Sequence, residues 1–295
     1  MVLEKINKVA FVVNPKAGST KNKQGIIKQI KQEIPSGWEH NIYLWNHPDE
    51  IESIVKKVVD EGVGLIVAVG GDGTVNEIAR RITGTEVALA IIPIGSGNGL
   101  ARHLGIPLKA KEAAKLLSTG KIIAIDSCRI NDKYFFCTAG VGFDAHIGKM
   151  FATSETRGFW TYLKITLKEF SRYKPQRYHL VVDEKPLEVN AFLTTFANAG
   201  QYGNNAYIAP EADVQDGLVH VVVLKPFSPI QILNLGARLF NKSIHQSKYL
   251  ETYTGKSIVL ERSSAGPIHC DGEPFEMGKR MEVKVFPKSL LVLVP

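Results

Sequence analysis

Cysteine is scarce. Cys128, Cys137 and Cys270 are the only three in 295 residues, and no pair has C-x-x-C spacing. That excludes a disulfide framework and a cysteine-built zinc site; three reduced, buried thiols are expected. No apolar run approaches the roughly 20 residues a membrane span requires. The opening stretch MVLEKINKVAFVVNP has too short an apolar core for a signal peptide, and no small-residue cleavage site follows it. A cytosolic chain that touches a membrane only from outside is expected. Internal repeats and low-complexity tracts are absent, and so is any recognisable RNA or DNA motif. Charged residues make up 22% and apolar residues 44%, which argues against collagen, coiled coil or a disordered tail. The net charge of +7 favours anionic partners such as a nucleotide or a phospholipid surface.

The first half alternates regularly. KVAFVVNP, HNIYLW, LIVAVGG and EVALAIIPIG read as buried strands. Between them KNKQGIIKQIKQEI, PDEIESIVKKVVDEG and TVNEIARRIT read as amphipathic helices. Continuous apolar strands alternating with helices predict βαβ units and a parallel sheet. Beyond about Asp126 the pattern changes to short strands joined by turns, interrupted by helical segments near 154–172 and 228–242. The fold expected is α/β plus β: a Rossmann-like α/β domain over 1–126 and a mainly antiparallel β domain over 127–295.

Three loops fall at the carboxyl ends of predicted parallel strands, where open α/β sheets bind ligands. They are NPKAGS from Asn14, GGDGTVN (Gly70, Gly71, Asp72, Gly73, Thr74, Val75, Asn76) and PIGSGNG, with Ser96, Gly97 and Asn98. Glycine allows close backbone approach, and successive amides at a helix start suit phosphate. Neither the P-loop pattern nor G-x-G-x-x-G after the first strand is present. Asp72, an acid among glycines, is suited to holding Mg²⁺ or its waters, or to orienting a nucleophile. The alternative is that it caps the helix starting at Thr74 or Val75.

GGDGTVNE, IPIGSGNGLARHLGIP and NPKAG, in this order, resemble the catalytic domain of the diacylglycerol kinase and sphingosine kinase superfamily. PEADVQDGLVHVVVL and HCDGEPF extend the resemblance over nearly the whole chain; GGDGT by itself also suits NAD kinases and phosphofructokinase-like enzymes. The resemblance implies ATP- and Mg²⁺-dependent phosphorylation of a lipid hydroxyl, in a cleft between the α/β domain and a β-sandwich domain. Asn14, Gly70–Asn76, Ser96, Gly97 and Asn98 would then surround the nucleotide phosphates. Asp271 resembles the family's general base, and Glu273 lies close to nucleotide or metal. Asp144, in GVGFDAH, resembles a position near the substrate head group. Asp213, Asp216 and the Leu218 carbonyl resemble a structural Mg²⁺ site. Read without the resemblance, Asp271-Gly272 is a hairpin-turn signal and 213–218 a solvated loop.

A lipid kinase must draw its acceptor from a bilayer. Residues 150–177 carry Phe151, Phe159, Trp160, Tyr162, Leu163, Leu167, Phe170 and Tyr173 among Lys149, Arg157, Lys164, Lys168, Arg172, Lys174 and Arg177. That mixture suits an anionic membrane interface, or else a core-packing helix with a basic outer face. His103, His146 and His269 lack metal-ligand spacing and read as structural or cleft-lining. Gly99 stands where many bacterial diacylglycerol-type members carry an acid, which leaves the lipid open. Asn46 lies where members often place a nucleotide-contacting threonine. Two other functions compete: a kinase of a soluble acceptor such as NAD, and a non-catalytic lipid-binding or regulatory protein of the same fold.

Overall fold

The structure is a computed structural model that describes residues 6–18, 23–153, 159–170 and 172–295. The chain divides into two compact units. One runs to Asp126 and takes back Lys288–Pro295; the other is Ser127–Pro287.

The first unit alternates strand and helix as its sequence pattern requires: β1 (Lys8–Val13), α1 (Lys23–Gln32), β2 (Glu39–Leu44), α2 (Pro48–Asp60), β3 (Leu65–Gly70), α3 (Asp72–Ile82), β4 (Ala88–Pro93), α4 (Gly99–His103) and α5 (Ala110–Thr119). The strands lie in the order β2-β1-β3-β4, all parallel. β3 and β4 are buried along their whole length. A strand covered on both faces has no solvated side, so Leu65–Val69 are apolar without alternation. Because the strands are parallel, the segments after β1, β3 and β4 leave from one sheet edge.

The second unit contains β6 (Lys133–Phe135), β7 (Thr138–Gly142), α6 (Phe143–Ala152), α7 (Phe159–Phe170), β8 (Gln176–Val182), β9 (Lys185–Ala191), β10 (Leu193–Ala197), β11 (Val219–Leu224), α8 (Ile232–Phe240), β12 (Leu250–Gly255), β13 (Ser257–Arg262), β14 (Gly266–Cys270) and β15 (Glu273–Met277). β5 (Lys121–Ile130) leads into it and β16 (Arg280–Val294) leads out. β9-β8-β13-β16 form one antiparallel array and β12-β11-β10-β7-β14-β15 another. One core cluster holds Leu180, Ile258 and Met281 from the first array with Val141, Phe196 and Val221 from the second. A second cluster holds Val222 and Leu224 with Phe143, Ile147 and Leu235 from helices. β11 therefore has apolar neighbours on both faces, which accounts for its unbroken VHVVVL run.

Two features escaped the sequence pattern. The end of β16 pairs in parallel with β4, Leu291 opposite Ala88 and Val292 opposite Leu89. Residues 288–295 therefore count with the first unit. Helix α6 was also not anticipated, although Phe143, Ile147 and Phe151 recur at helical spacing. Of the helical segment expected near 154–172, residues 154–158 and 171 lie outside the described residues.

Candidate active site

The site in the first unit is built on Asp72. Gly71 is the N-cap of α3, in extended conformation and without a side-chain cap bond. The alternative that Asp72 caps a helix starting at Thr74 or Val75 does not hold: Asp72 is itself the first residue of α3, and its side chain reaches the next loop. The amide of Asn98 donates to Oδ2 at 2.8 Å and that of Gly99 to Oδ1 at 2.6 Å. The carboxylate thus sits at the start of α4, where unpaired amides and the helix dipole favour an anion.

Asn98 explains why that start needs an external carboxylate. It is in left-handed conformation at φ 51°, and its side chain turns back on the loop instead of capping the helix. Its Oδ1 accepts from the Gly95 amide at 3.1 Å and its Nδ2 donates to the Gly95 carbonyl at 2.9 Å. Arg102 Nε donates to the Gly97 carbonyl at 3.0 Å. Ser96 is left exposed at the tip. Asn14, after β1, donates to Thr74 Oγ1 at 3.2 Å and accepts from the Lys16 amide at 2.9 Å. Asn46 accepts from Lys16 Nζ at 3.0 Å through its carbonyl.

The glycines have a role that loop composition alone did not reveal. A Cβ on Gly70 would run into the buried side chain of Thr74, and one on Gly71 would lie 3.2 Å from Gly95 Cα. Gly70 leaves room for Thr74 of its own segment, while Gly71 and Gly95 let the loops after β3 and β4 approach one another.

In the second unit, Asp271 and Gly272 are the two turn residues between β14 and β15, with φ of 47° and 84°. Positive φ at both is the two-residue hairpin geometry that Asp-Gly favours. The turn aims the Asp271 carboxylate back at the strand start. Its Oδ2 accepts from the Phe136 amide at 2.9 Å, and Oδ1 from the Cys137 and Thr138 amides at 2.8 and 3.1 Å. Glu273 opens β15 and is exposed. Burial pushes the neighbouring Cys270 thiol well up, consistent with an inert structural cysteine.

Asp144 is the second residue of α6 and is buried. Its Oδ1 accepts from the Ala145 amide, and Oδ2 meets Thr195 Oγ1 at 3.2 Å, Tyr202 OH at 3.2 Å and His269 Nε2 at 3.1 Å. Sequence reading missed these three partners and took His269 as structural or cleft-lining. His269 is 5% exposed, and its Nδ1 has no hydrogen-bond partner among the described residues. Gly140 makes the room: a Cβ there would lie 2.5 Å from Asp144 Oδ2 and 2.7 Å from His269 Nε2.

At the expected Mg²⁺ site, Asp213 Oδ1 accepts from the Gln215 amide and Asp216 Oδ1 from the Leu218 amide. Asp216 Oδ2 lies 3.2 Å from His220 Nε2. Among the described residues no three acidic, His or Cys side chains group around one point. The three groups named there are all oxygen donors, the ligand type that Mg²⁺ takes.

In the 150–177 segment the side chains of Arg157, Phe159, Trp160, Tyr162 and Leu163 lie outside the described residues. Phe170 and Tyr173 pack inward, with Phe170 5.2 Å from the Phe192 ring and Tyr173 5.4 Å from that of Phe143. Glu169 is buried against His146 at 3.1 Å. Leu167 is exposed, and Lys164, Lys168 and Arg172 face outward.

A parallel α/β unit followed by an antiparallel β unit is the architecture that the sequence's resemblance implied. Residues 8–130 match the diacylglycerol kinase catalytic domain, and residues 137–294 match the YegS C-terminal NAD kinase beta sandwich-like domain. The chain belongs to this diacylglycerol kinase and YegS-like lipid kinase family. A diacylglycerol kinase of Mycobacterium tuberculosis is 29% identical, the match covering 98% of this chain and 96% of that protein. A protein named as a YegS-like lipid kinase in Shewanella frigidimarina is 26% identical over 85% of this chain and 82% of its own length. A crystal structure of a diacylglycerol kinase from Bacillus anthracis shares the fold, with a TM-score of 0.77 at 22% identity over 99% of this chain and 98% of that one. Among the described residues no helix is long and apolar enough to cross a membrane.

Proposed function

We propose that this protein transfers the γ-phosphoryl group of ATP to the hydroxyl of a lipid, diacylglycerol or a sphingoid base. The observation that carries the reading is the Asp72 clasp. It ties the loop after β3 to the loop after β4, so that the starts of α3 and α4 emerge side by side from one sheet edge. Phosphoryl transfer needs mainly positioning and neutralisation of phosphate charge, and the start of α3 with the glycine amides of its loop would offer both, the amides opening α4 being taken by Asp72. Asn14, Gly70–Asn76 and Ser96–Asn98 would receive the phosphates, with Glu273 close to nucleotide or metal.

The acceptor oxygen bonds to the γ-phosphorus, ADP leaves, and the hydroxyl proton passes to a carboxylate. Asp271 takes that role. Three backbone amides fix its position, and catalysis by proton transfer depends on such placement. Asp144 receives the acceptor's polar head group. Mg²⁺ supplies charge neutralisation when bound; Asp213, Asp216 and the Leu218 carbonyl would hold a second, structural ion. A purely structural Asp271, favoured by the same three amides, is the competing assignment for that residue. On this reading the protein works in the cytosol and meets its lipid at a membrane surface.

The test is transfer of labelled γ-phosphate into diacylglycerol and sphingosine in mixed micelles, with NAD as soluble acceptor. Label in a lipid is expected. Label in NAD alone would make the protein a soluble-acceptor kinase, and ATP binding without transfer to any acceptor would favour a regulatory role.

A further inference from the structure

Helix α8 has apolar residues on both sides. Leu235 is buried in the second core cluster, with Leu239 packed against it. The opposite side carries Ile230, in the 3-10 turn Pro229–Gln231 that leads into the helix, then Leu233, Ala237 and Phe240. Ile230 is 80%, Leu233 82% and Phe240 51% exposed, and Ala237 is exposed too. The positions i, i+3, i+7 and i+10 make one stripe. A surface helix of a water-soluble unit places polar residues there; large apolar side chains in a row mark an interaction site.

Along the chain on both sides of the stripe the charge is of one sign. No Asp or Glu occurs from Gly217 through Leu250, while Lys225, Arg238, Lys242 and Lys248 lie in that interval. Lys225 is paired with Glu251. Lys242 and Lys248 are exposed, their ammonium groups over the rings of Tyr207 and Tyr249. Apolar side chains projecting outward beside uncompensated cations complement an anionic, amphiphilic surface.

We infer that the stripe Ile230–Leu233–Ala237–Phe240 is a membrane-docking face, inserting into the interface of a bilayer rich in anionic phospholipid while the neighbouring lysines meet its headgroups. The inference rests on the lipid-kinase reading in one respect: it says where such an enzyme would meet its substrate's solvent. A second copy of the chain fits less well. A helix about 14 Å long presenting three large side chains falls short of the ~800 Å² per partner that a stable protein interface takes. It suits an interfacial insertion about 5–10 Å deep. Within 150–177 the described Phe170 and Tyr173 turn into the core, whereas α8 turns Leu233 and Phe240 out.

The test separates docking from turnover. Sedimentation with vesicles of phosphatidylcholine, with and without phosphatidylglycerol, needs no reaction. The variant Ile230→Ser, Leu233→Ser, Phe240→Ser is expected to bind the anionic vesicles about tenfold more weakly or worse than the unsubstituted protein. Lys242→Glu with Lys248→Glu should erase the preference for phosphatidylglycerol. Micellar lipid phosphorylation should be unchanged in the triple-serine variant. Vesicle binding by that variant within about twofold of the unsubstituted protein, no vesicle binding by either, or a dimer of the unsubstituted protein that the variant dissociates would overturn the inference. Failure of the functional reading shows separately, as absence of label in any micellar lipid.

Discussion

Asp72 and Asp144 are carboxylates near the start of a helix, held in opposite ways. Asp72 is fixed by the main chain: its donors are the amides of Asn98 and Gly99, whose direction is set by the loop. Asp144 receives one amide, but its other oxygen meets two hydroxyls and an imidazole. Main-chain donors do not rotate; hydroxyls do, and can accept as well as donate. A main-chain cage fixes a loop in one geometry, which suits the phosphate role proposed for it. A side-chain nest can adapt its hydrogen bonds to what enters it, which suits the acceptor role proposed for Asp144. Asp271, with three amides, belongs with Asp72.

The largest effect on the fold comes from disturbing the cage. Gly70→Ala drives a Cβ into Thr74, which is buried and tied to Asn14. A loss of about 3 kcal/mol in denaturant unfolding is expected, since a packed interior cannot absorb the extra atom. Thr74→Ala, which removes both Oγ1 and Cγ2, should recover part of it in the double variant. Full additivity would show that the clash is not the cause.

The next effect tests the comparison itself. Asp72→Asn turns one oxygen into an N–H donor facing an amide that cannot turn away, at a cost of about 1–3 kcal/mol. It should also weaken ATP binding. Asp144→Asn meets hydroxyls that reorient, and its cost should be about 1 kcal/mol or less. That change should show instead as a raised KM for lipid with KM for ATP unchanged. Equal losses of stability in calorimetry would erase the distinction between cage and nest.

The smallest effect is alkaline. Burial, reinforced by the Asp144 carboxylate, pushes Tyr173 from its ordinary value of 10.0 up to about 12. The folded chain then holds this proton more tightly than the unfolded chain. Tyr173's contribution to stability is complete below pH 10 and disappears as pH rises towards 12. Tyr173→Phe should flatten part of the fall in melting temperature over that interval. An unaltered slope would place the cause at other groups, Tyr178 among them, whose hydroxyl burial also raises.

The parallel sheet and its loops were legible because their causes are local. Doubly covered strands must be apolar throughout, and glycines with an acid after a strand mark a special turn. The clasp was not legible. Asp72 reaches amides 26 and 27 positions away, and no spacing rule predicts which helix a carboxylate will cap. The Asp144 nest is less legible still, since Thr195, Tyr202 and His269 lie 51, 58 and 125 positions along the chain. Gly140 was a readable hint: a glycine inside a buried strand signals something approaching closely. Asp271-Gly272 read as a hairpin turn, but the amides that receive its carboxylate come from a strand start more than a hundred residues earlier.

The most direct test of the assignment is the turnover and ATP affinity of Asp271→Asn, measured on one preparation. Asparagine tolerates the positive φ of the turn, so the hairpin should persist. If Asp271 takes the proton, lipid phosphorylation falls by about 10²–10⁴-fold while ATP binding stays nearly intact. Retained turnover, or turnover and ATP binding lost together, would contradict that role and leave Asp271 a structural turn residue.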